Sequence, residues 1–155
     1  MRIVVCCTLL GLAGCYDDCH PKAKAGLTLG TGDQSYRALD PADPTYSLVH
    51  GPQGGWHVVI GMEAAGLDAT QIATADLVGT IGGAELARND DAWLTFQCDA
   101  DARTLRAWNT FLIYDVESAA ELDGVQTTIQ ATVTDSRGVI VTDTIIATIV
   151  DDWQE

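Results

Sequence analysis

The sequence predicts an all-β domain, an antiparallel β-sandwich of about seven strands, with a small barrel as the alternative. Three observations point there. Apolar and polar residues alternate with period two through most of the chain beyond residue 26. Clusters of Gly, Pro, Asp and Ser separate the alternating runs. Aspartate outnumbers glutamate by 17 to 5, a balance suited to turns and strands rather than helices.

In chain order, Leu27 to Leu39 holds one or two short strands around Gly30-Thr31-Gly32-Asp33. Asp40-Pro41-Ala42-Asp43-Pro44 reads as a loop, because two prolines deny ladder donors. Tyr46 to Val49 is a short strand. From Trp56 to Ala64, one face carries Trp56, Val58, Ile60, Met62 and Ala64, and the other His57, Val59, Gly61 and Glu63. Ala73 to Gly82 sets Leu77, Gly79 and Ile81 on one face. Ala92 to Cys98 groups Leu94, Phe96 and Cys98, which aims Cys98 at the core. Leu105 to Asp115 is apolar enough to be covered on both sides, or to hold a bulge. Val125, Thr127, Ile129, Ala131 and Val133 alternate with polar partners. Asp135-Ser136-Arg137-Gly138 turns the chain, and Val139 to Val150 returns with an expected bulge near Asp143, where the apolar phase becomes ambiguous.

That closing hairpin, with its Val-x-Asp-x-x-Gly turn at Val133 to Gly138, resembles the last two strands of bacterial immunoglobulin-like domains. The resemblance spans about 25 residues and implies an immunoglobulin-like β-sandwich over residues 27–155. It carries no activity, since such folds host unrelated functions.

The N-terminus has a different character. Met1-Arg2 is followed by an apolar run from Ile3 to Ala13, broken only by Thr8. A run of that length suits a signal-peptide core of about 7–15 residues and falls short of the roughly 20 that span a bilayer. Its end, Leu12-Ala13-Gly14-Cys15, resembles the lipobox of bacterial lipoproteins. The resemblance implies that residues 1–14 are a signal peptide and that Cys15 becomes the lipidated first residue of the exported chain. It implies no transferable activity. Two or three acyl chains give a stable membrane anchor where one does not. Tyr16, rather than Asp, follows the cysteine, which favours the outer membrane within the cell envelope. Residues 15–26 lack periodicity and read as a tether.

The chain carries a net charge of −14, with 22 acidic and 8 basic residues. This argues against nucleic-acid binding, which needs Lys and Arg to neutralise phosphates, and against a face for anionic lipid. Cys6 and Cys7 leave with the signal peptide. Cys19 and Cys98 remain, and two thiols in an oxidising compartment favour a disulfide.

His50-Gly51-Pro52-Gln53-Gly54-Gly55-Trp56-His57 is the most unusual segment. It resembles a GPQGGxH segment of uncharacterised lipoproteins from Gram-negative bacteria, a group that brings no activity with it. The glycines permit positive φ. As a site, His50, Gln53, Trp56 and His57 are its candidate binding residues. As structure, it is a glycine-shaped turn whose Trp56 fills the core. Two histidines without a third ligand are weak grounds for zinc. Asp90-Asp91 and Asp99/Asp101 are loop carboxylates of the sort calcium uses, but the Gly and terminal Glu of a calcium-binding helix-loop-helix are missing. Ser35, Ser47, Ser118 and Ser136 lie outside any Gly-x-Ser-x-Gly context, and no phosphate-cradling loop or cofactor motif occurs. The expectation is therefore a non-enzymatic binding module, anchored to the membrane by its N-terminal lipid and presenting loops to a protein or glycan. The alternative is a small metal-binding or hydrolytic lipoprotein that uses the His50–His57 segment.

Overall fold

The computed structural model describes Cys19, residues 23–52 and residues 54–152. Within them the strands are β1 (Gly26–Thr31), β2 (Arg37–Ala38), β3 (Thr45–His50), β4 (Trp56–Ala65), β5 (Ala73–Ile81), β6 (Ala84–Leu94), β7 (Gln97–Asp99), β8 (Thr104–Tyr114), β9 (Gln126–Thr134) and β10 (Ile140–Val150). A 3-10 turn at Ala119–Glu121 lies between β8 and β9.

The expected immunoglobulin-like sandwich is overturned. Strands β4, β3, β10, β9, β5, β6 and β8 are bonded in succession, and β8 returns to β4, so the sheet closes into a seven-strand barrel. A sandwich of the immunoglobulin type keeps two separate sheets. Here β8 ladders along β4 from Leu105↔Ala64 to Tyr114↔Trp56; it holds a bulge, and its outer face is not covered, since Phe111 and Ile113 are exposed. Its other side meets β6 at Ala87↔Tyr114 and Arg88↔Ile113. The last junction is parallel, with Thr45 to Ser47 of β3 beside Thr148 to Val150 of β10.

Small inward residues permit so tight a closure. Ala64, Ala75, Ala87, Ala107, Ala131 and Ala147 face a bore filled by Leu48, Ile60, Met62, Leu77, Leu112 and Ile129. Two tyrosines complete it. The Tyr46 hydroxyl donates to the Gly30 carbonyl at 3.1 Å, and the Tyr114 hydroxyl lies 3.0 Å from the Thr127 hydroxyl. Burial pushes the Tyr114 pKa up to about 12. Gly79 makes room for this ring: a Cβ there would sit 3.2 Å from the Tyr114 oxygen and 2.9 Å from Ala87 Cβ.

Three local expectations are corrected. β9 and β10 pair without a break from Thr134↔Ile140 to Gln126↔Thr148, so no bulge interrupts Asp143. Asp143 instead points toward β1, where its carboxylate accepts the Leu29 N–H at 2.8 Å and replaces a missing ladder partner between β1 and β10. Irregularities fall elsewhere, at Leu86 and at Asp90–Asp91 on β6 and at Trp108–Asn109 on β8. Residues 84–91 form the first part of β6, although no alternation announces them. Finally, Cys98 is exposed rather than directed at the core. The extended run breaks after Leu94, and Cys98 belongs to the short β7, where it is bridged to the buried Cys19.

The barrel has an entry end and a far end. Cys19, residues 23–25, the turn 66–72, the segment 95–103 and the hairpin turn 135–139 lie at the entry end, as the pairings Gly26↔Ala65, Thr74↔Thr134 and Ala73↔Leu94 require. The segments 51–55, 82–83, 115–125 and 151–152 lie at the far end.

Asp135 organises the entry end. Its carboxylate, fully buried, accepts backbone N–H groups from Asp68 at 2.9 Å, Arg137 at 2.9 Å and Val139 at 2.8 Å, plus the Arg137 guanidinium at 2.8 Å. Arg137 also donates to the Gly66 carbonyl at 3.0 Å. One side chain thus ties the β9–β10 turn to the β4–β5 turn. Burial alone would raise the Asp135 pKa, but the hydrogen bonds from Arg137, Asp68 and Val139 outweigh it and hold the carboxyl below its ordinary 3.8. A depressed folded pKa contributes stability that is present above 3.8 and is lost as pH falls below it. Asp135→Ala should cost about 3–5 kcal/mol in urea unfolding at neutral pH. Asp135→Asn should lose less stability than wild type between pH 5 and pH 2, roughly the span over which a paired carboxylate titrates. An unchanged midpoint in Asp135→Ala refutes this role.

Candidate ligand-binding cleft

The His50–His57 segment forms the β3–β4 hairpin at the far end. Gly54 and Gly55 adopt φ of 81° and 89°, so glycine is needed there, and Gly54 N–H bonds the Gly51 carbonyl at 3.0 Å. Gln53 and Cys15 lie outside the described residues. The register pairs His50 with Trp56 and Val49 with His57. Directly paired residues share a face, so His50 and Trp56 lie on the inward face and His57 on the outer one. Trp56 does not sink into the core. It sits half-buried at the barrel mouth, its ring 4.6 Å from that of the exposed His50 and nearly parallel to it. The two histidines therefore lie on opposite faces of the hairpin.

His57 belongs to a different arrangement. Its ring packs edge-on against Phe111, with centroids 4.8 Å apart, and burial lowers its pKa below 6.5. These two rings, with Val49 and Val59, floor a cleft of about 520 Å³ on the outer face of β3, β4 and β8. The wall opposite is an arm made from the end of β1, the turn after it and β2, which contributes Thr31, Gly32, Asp33, Arg37 and Ala38.

Two backbone devices hold the arm in place. Gly61 on β4 lets it approach: a Cβ there would lie 2.5 Å from the Thr31 carbonyl oxygen. Opposite Gly61, β8 bulges at Trp108–Asn109. Asn109 takes φ of 62°, and its N–H donates to the Gly32 carbonyl at 2.9 Å. A further tie runs from the Thr31 hydroxyl to the Val59 carbonyl at 2.9 Å. Behind the arm, Tyr36 lies under the Arg106 guanidinium, 5.3 Å from ring centre to Cζ. Arg106 in turn pairs with Glu63 at 2.8 Å and with Asp99.

The cleft combines an apolar, partly aromatic floor with a guanidinium, a carboxylate, an amide and hydroxyls from Thr45 and Ser47. Phe111 is 40% exposed, and Arg37 has no ion-pair partner among the described residues. Sequence reasoning singled out His57 but missed Phe111, Asn109 and Arg37. A signal was present at β8, where the inward phase switches between Ala107 and Thr110, the mark of the bulge that supplies Asn109. Nothing local marks Arg37, which reaches the cleft only because the arm folds back.

The acidic clusters are engaged elsewhere. Asp90 pairs with Arg88 at 2.9 Å, while Asp91 sits in a bulge with φ of 54° and donates its N–H to the Asp76 carboxylate at 3.0 Å. Asp99 accepts the Asp101 and Ala102 N–H groups in its own turn. Among the described residues, no group of three or more His, Cys, Asp or Glu side chains converges as a metal site.

No protein-family model matches the chain. A search of curated proteins likewise finds no match.

Gly61→Ala should displace the arm and cost about 1–3 kcal/mol by overpacking, with chemical-shift changes at Thr31, Gly32 and Asn109. A variant with wild-type stability and unshifted arm resonances overturns the close-approach account. The His57 pKa is lowered on folding, so its contribution to stability is complete above 6.5 and declines as pH falls below that value. An NMR titration should place the folded His57 midpoint below 6.5 and return it toward that value in Phe111→Ala, which opens the site to water.

Proposed function

We propose that the chain is an exported, lipid-anchored binding protein of the cell envelope that takes a glycan in the cleft between the arm and the barrel. The observation that carries this reading is the cleft itself. Phe111 and His57 offer ring surfaces against which a sugar face can pack, while Arg37, Asp33 and Asn109 rim it with groups that pair with hydroxyls. Burial favours the neutral imidazole at His57, so one ring nitrogen can donate and the other accept. A site of this kind orients and holds a ligand and needs no nucleophile. The export and anchor rest on Leu12-Ala13-Gly14-Cys15, with outer-membrane placement resting on Tyr16 after the cysteine.

Binding to an array of cell-envelope glycans tests the site. A glycan bound by wild type should lose at least tenfold in affinity, about 1.4 kcal/mol, in Phe111→Ala and in Arg37→Ala, with both variants melting near wild type because the two side chains are exposed. Undiminished binding in both, or no glycan bound by wild type, sinks the proposal. The anchor is tested separately: Cys15→Ser should abolish metabolic lipid labelling and leave the precursor uncleaved.

A further inference from the structure

The entry end of the barrel carries an apolar row on its outer surface. Trp93 on β6 pairs with Thr74 on β5, Thr74 pairs with Thr134 on β9, and Thr134 pairs with Ile140 on β10. Directly paired residues share a face, so the four lie side by side. Trp93 is 79% exposed and Ile140 is 63% exposed. Ile72, 56% exposed, lies just ahead of β5, two residues before Thr74. These are three of the six large apolar side chains exposed among the described residues, and all three lie at one end.

The chain enters at that end. Residues 23–25 pass so close to Gly66 that a Cβ there would meet the Ala23 carbonyl oxygen at 2.6 Å, and Cys19 is locked to Cys98 beside the turn that follows β7. Only Tyr16, Asp17 and Asp18 separate Cys15 from the locked cysteine. Fully extended, that interval spans about 14 Å.

Charge is divided in the same sense. The far-end segments 115–125 and 151–152 carry Asp115, Glu117, Glu121, Asp123, Asp151 and Asp152 and no Lys or Arg. At the entry end, Lys24 and Arg103 stand with Asp68 and Asp101, and Asp99 and Asp135 are paired with Arg106 and Arg137, so basic and acidic residues offset each other there.

We propose that the entry end sits on the bilayer surface, with Trp93, Ile72 and Ile140 dipping into the lipid interface beside the acyl anchor. This rests on the lipidation of Cys15 proposed above. A tether this short keeps the entry end at the headgroups. Tryptophan is the side chain that interfaces favour, its ring apolar and its N–H wet. The acidic far end is repelled by anionic headgroups and turns outward.

The test uses the full lipoprotein isolated from membranes and reconstituted in phosphatidylethanolamine–phosphatidylglycerol vesicles with brominated acyl chains. The intact mass of the same sample reports acylation of Cys15. Bromolipid should quench tryptophan emission in wild type, and that quenching should be lost in Trp93→Phe, since Trp56, Trp108 and Trp153 remain in both proteins. Ile72→Asp with Ile140→Asp should reduce quenching at unchanged melting temperature. An unacylated Cys15 overturns the anchor and the seating together. Acylated protein whose emission is equally quenched with and without Trp93, or not quenched at all, overturns the seating alone. Emission that is unquenched by bromolipid yet shielded from aqueous iodide also overturns it, and points to a second copy or a protein partner on this row.

Discussion

The β4–β8 ladder is the constraint on which the rest of the molecule depends. Without it the sheet would stay open, with β4 and β8 far apart in the strand order. With it, β4 has its whole length paired on one side and must share the other between β3, beside its first three residues, and β1, beside residues 61–65. That division expels the segment after β1 from the barrel wall and folds it back as an arm over the outer face. The cleft exists because of this displacement. Gly61 and the bulge at Asn109 sit opposite each other on the two partners of the ladder, at the position where the arm leaves.

The price of such sharing appears at the seam between β1 and β10, which have no backbone ladder. A carboxylate from within β10 takes over as acceptor for the Leu29 amide. Side chains do ladder work elsewhere too: Asn89 donates to the Phe111 carbonyl at 2.7 Å where β6 and β8 diverge. Asp135 gathers three amides at a turn. The preference for aspartate over glutamate is thus partly structural, since a short carboxylate reaches nearby backbone groups that a longer one overshoots.

Much of the strand pattern was legible because period-two alternation reports directly which side faces the core. The inward set Val58, Ile60, Met62 and Ala64 and the alternation of β9 are where the sequence places them. The closing turn was legible as well, since Asp135 and Gly138 have defined jobs, with φ of 80° at the glycine. Closure was not, because alternation says which face is buried and is silent on which strands are neighbours. The first half of β6 escaped notice since Glu85, Arg88 and Asp90 satisfy one another on an exposed surface and leave no apolar rhythm. Asp143 misled for a related reason: a polar residue at an inward position signals a broken strand only when no backbone donor awaits it. In the cleft, His57 drew notice through its company of glycines. Phe111 and Arg37 became site residues only through contacts across the fold, which no short window of sequence contains.

Closure also governs how the protein behaves among copies of itself. The sheet order ends in β2 and β7, strands of two and three residues. A neighbouring chain that seeks to extend the sheet at either of these two ends finds only two or three residues to pair with. Copies of the chain that meet at these two ends have little backbone to pair, so contact there rests on side chains.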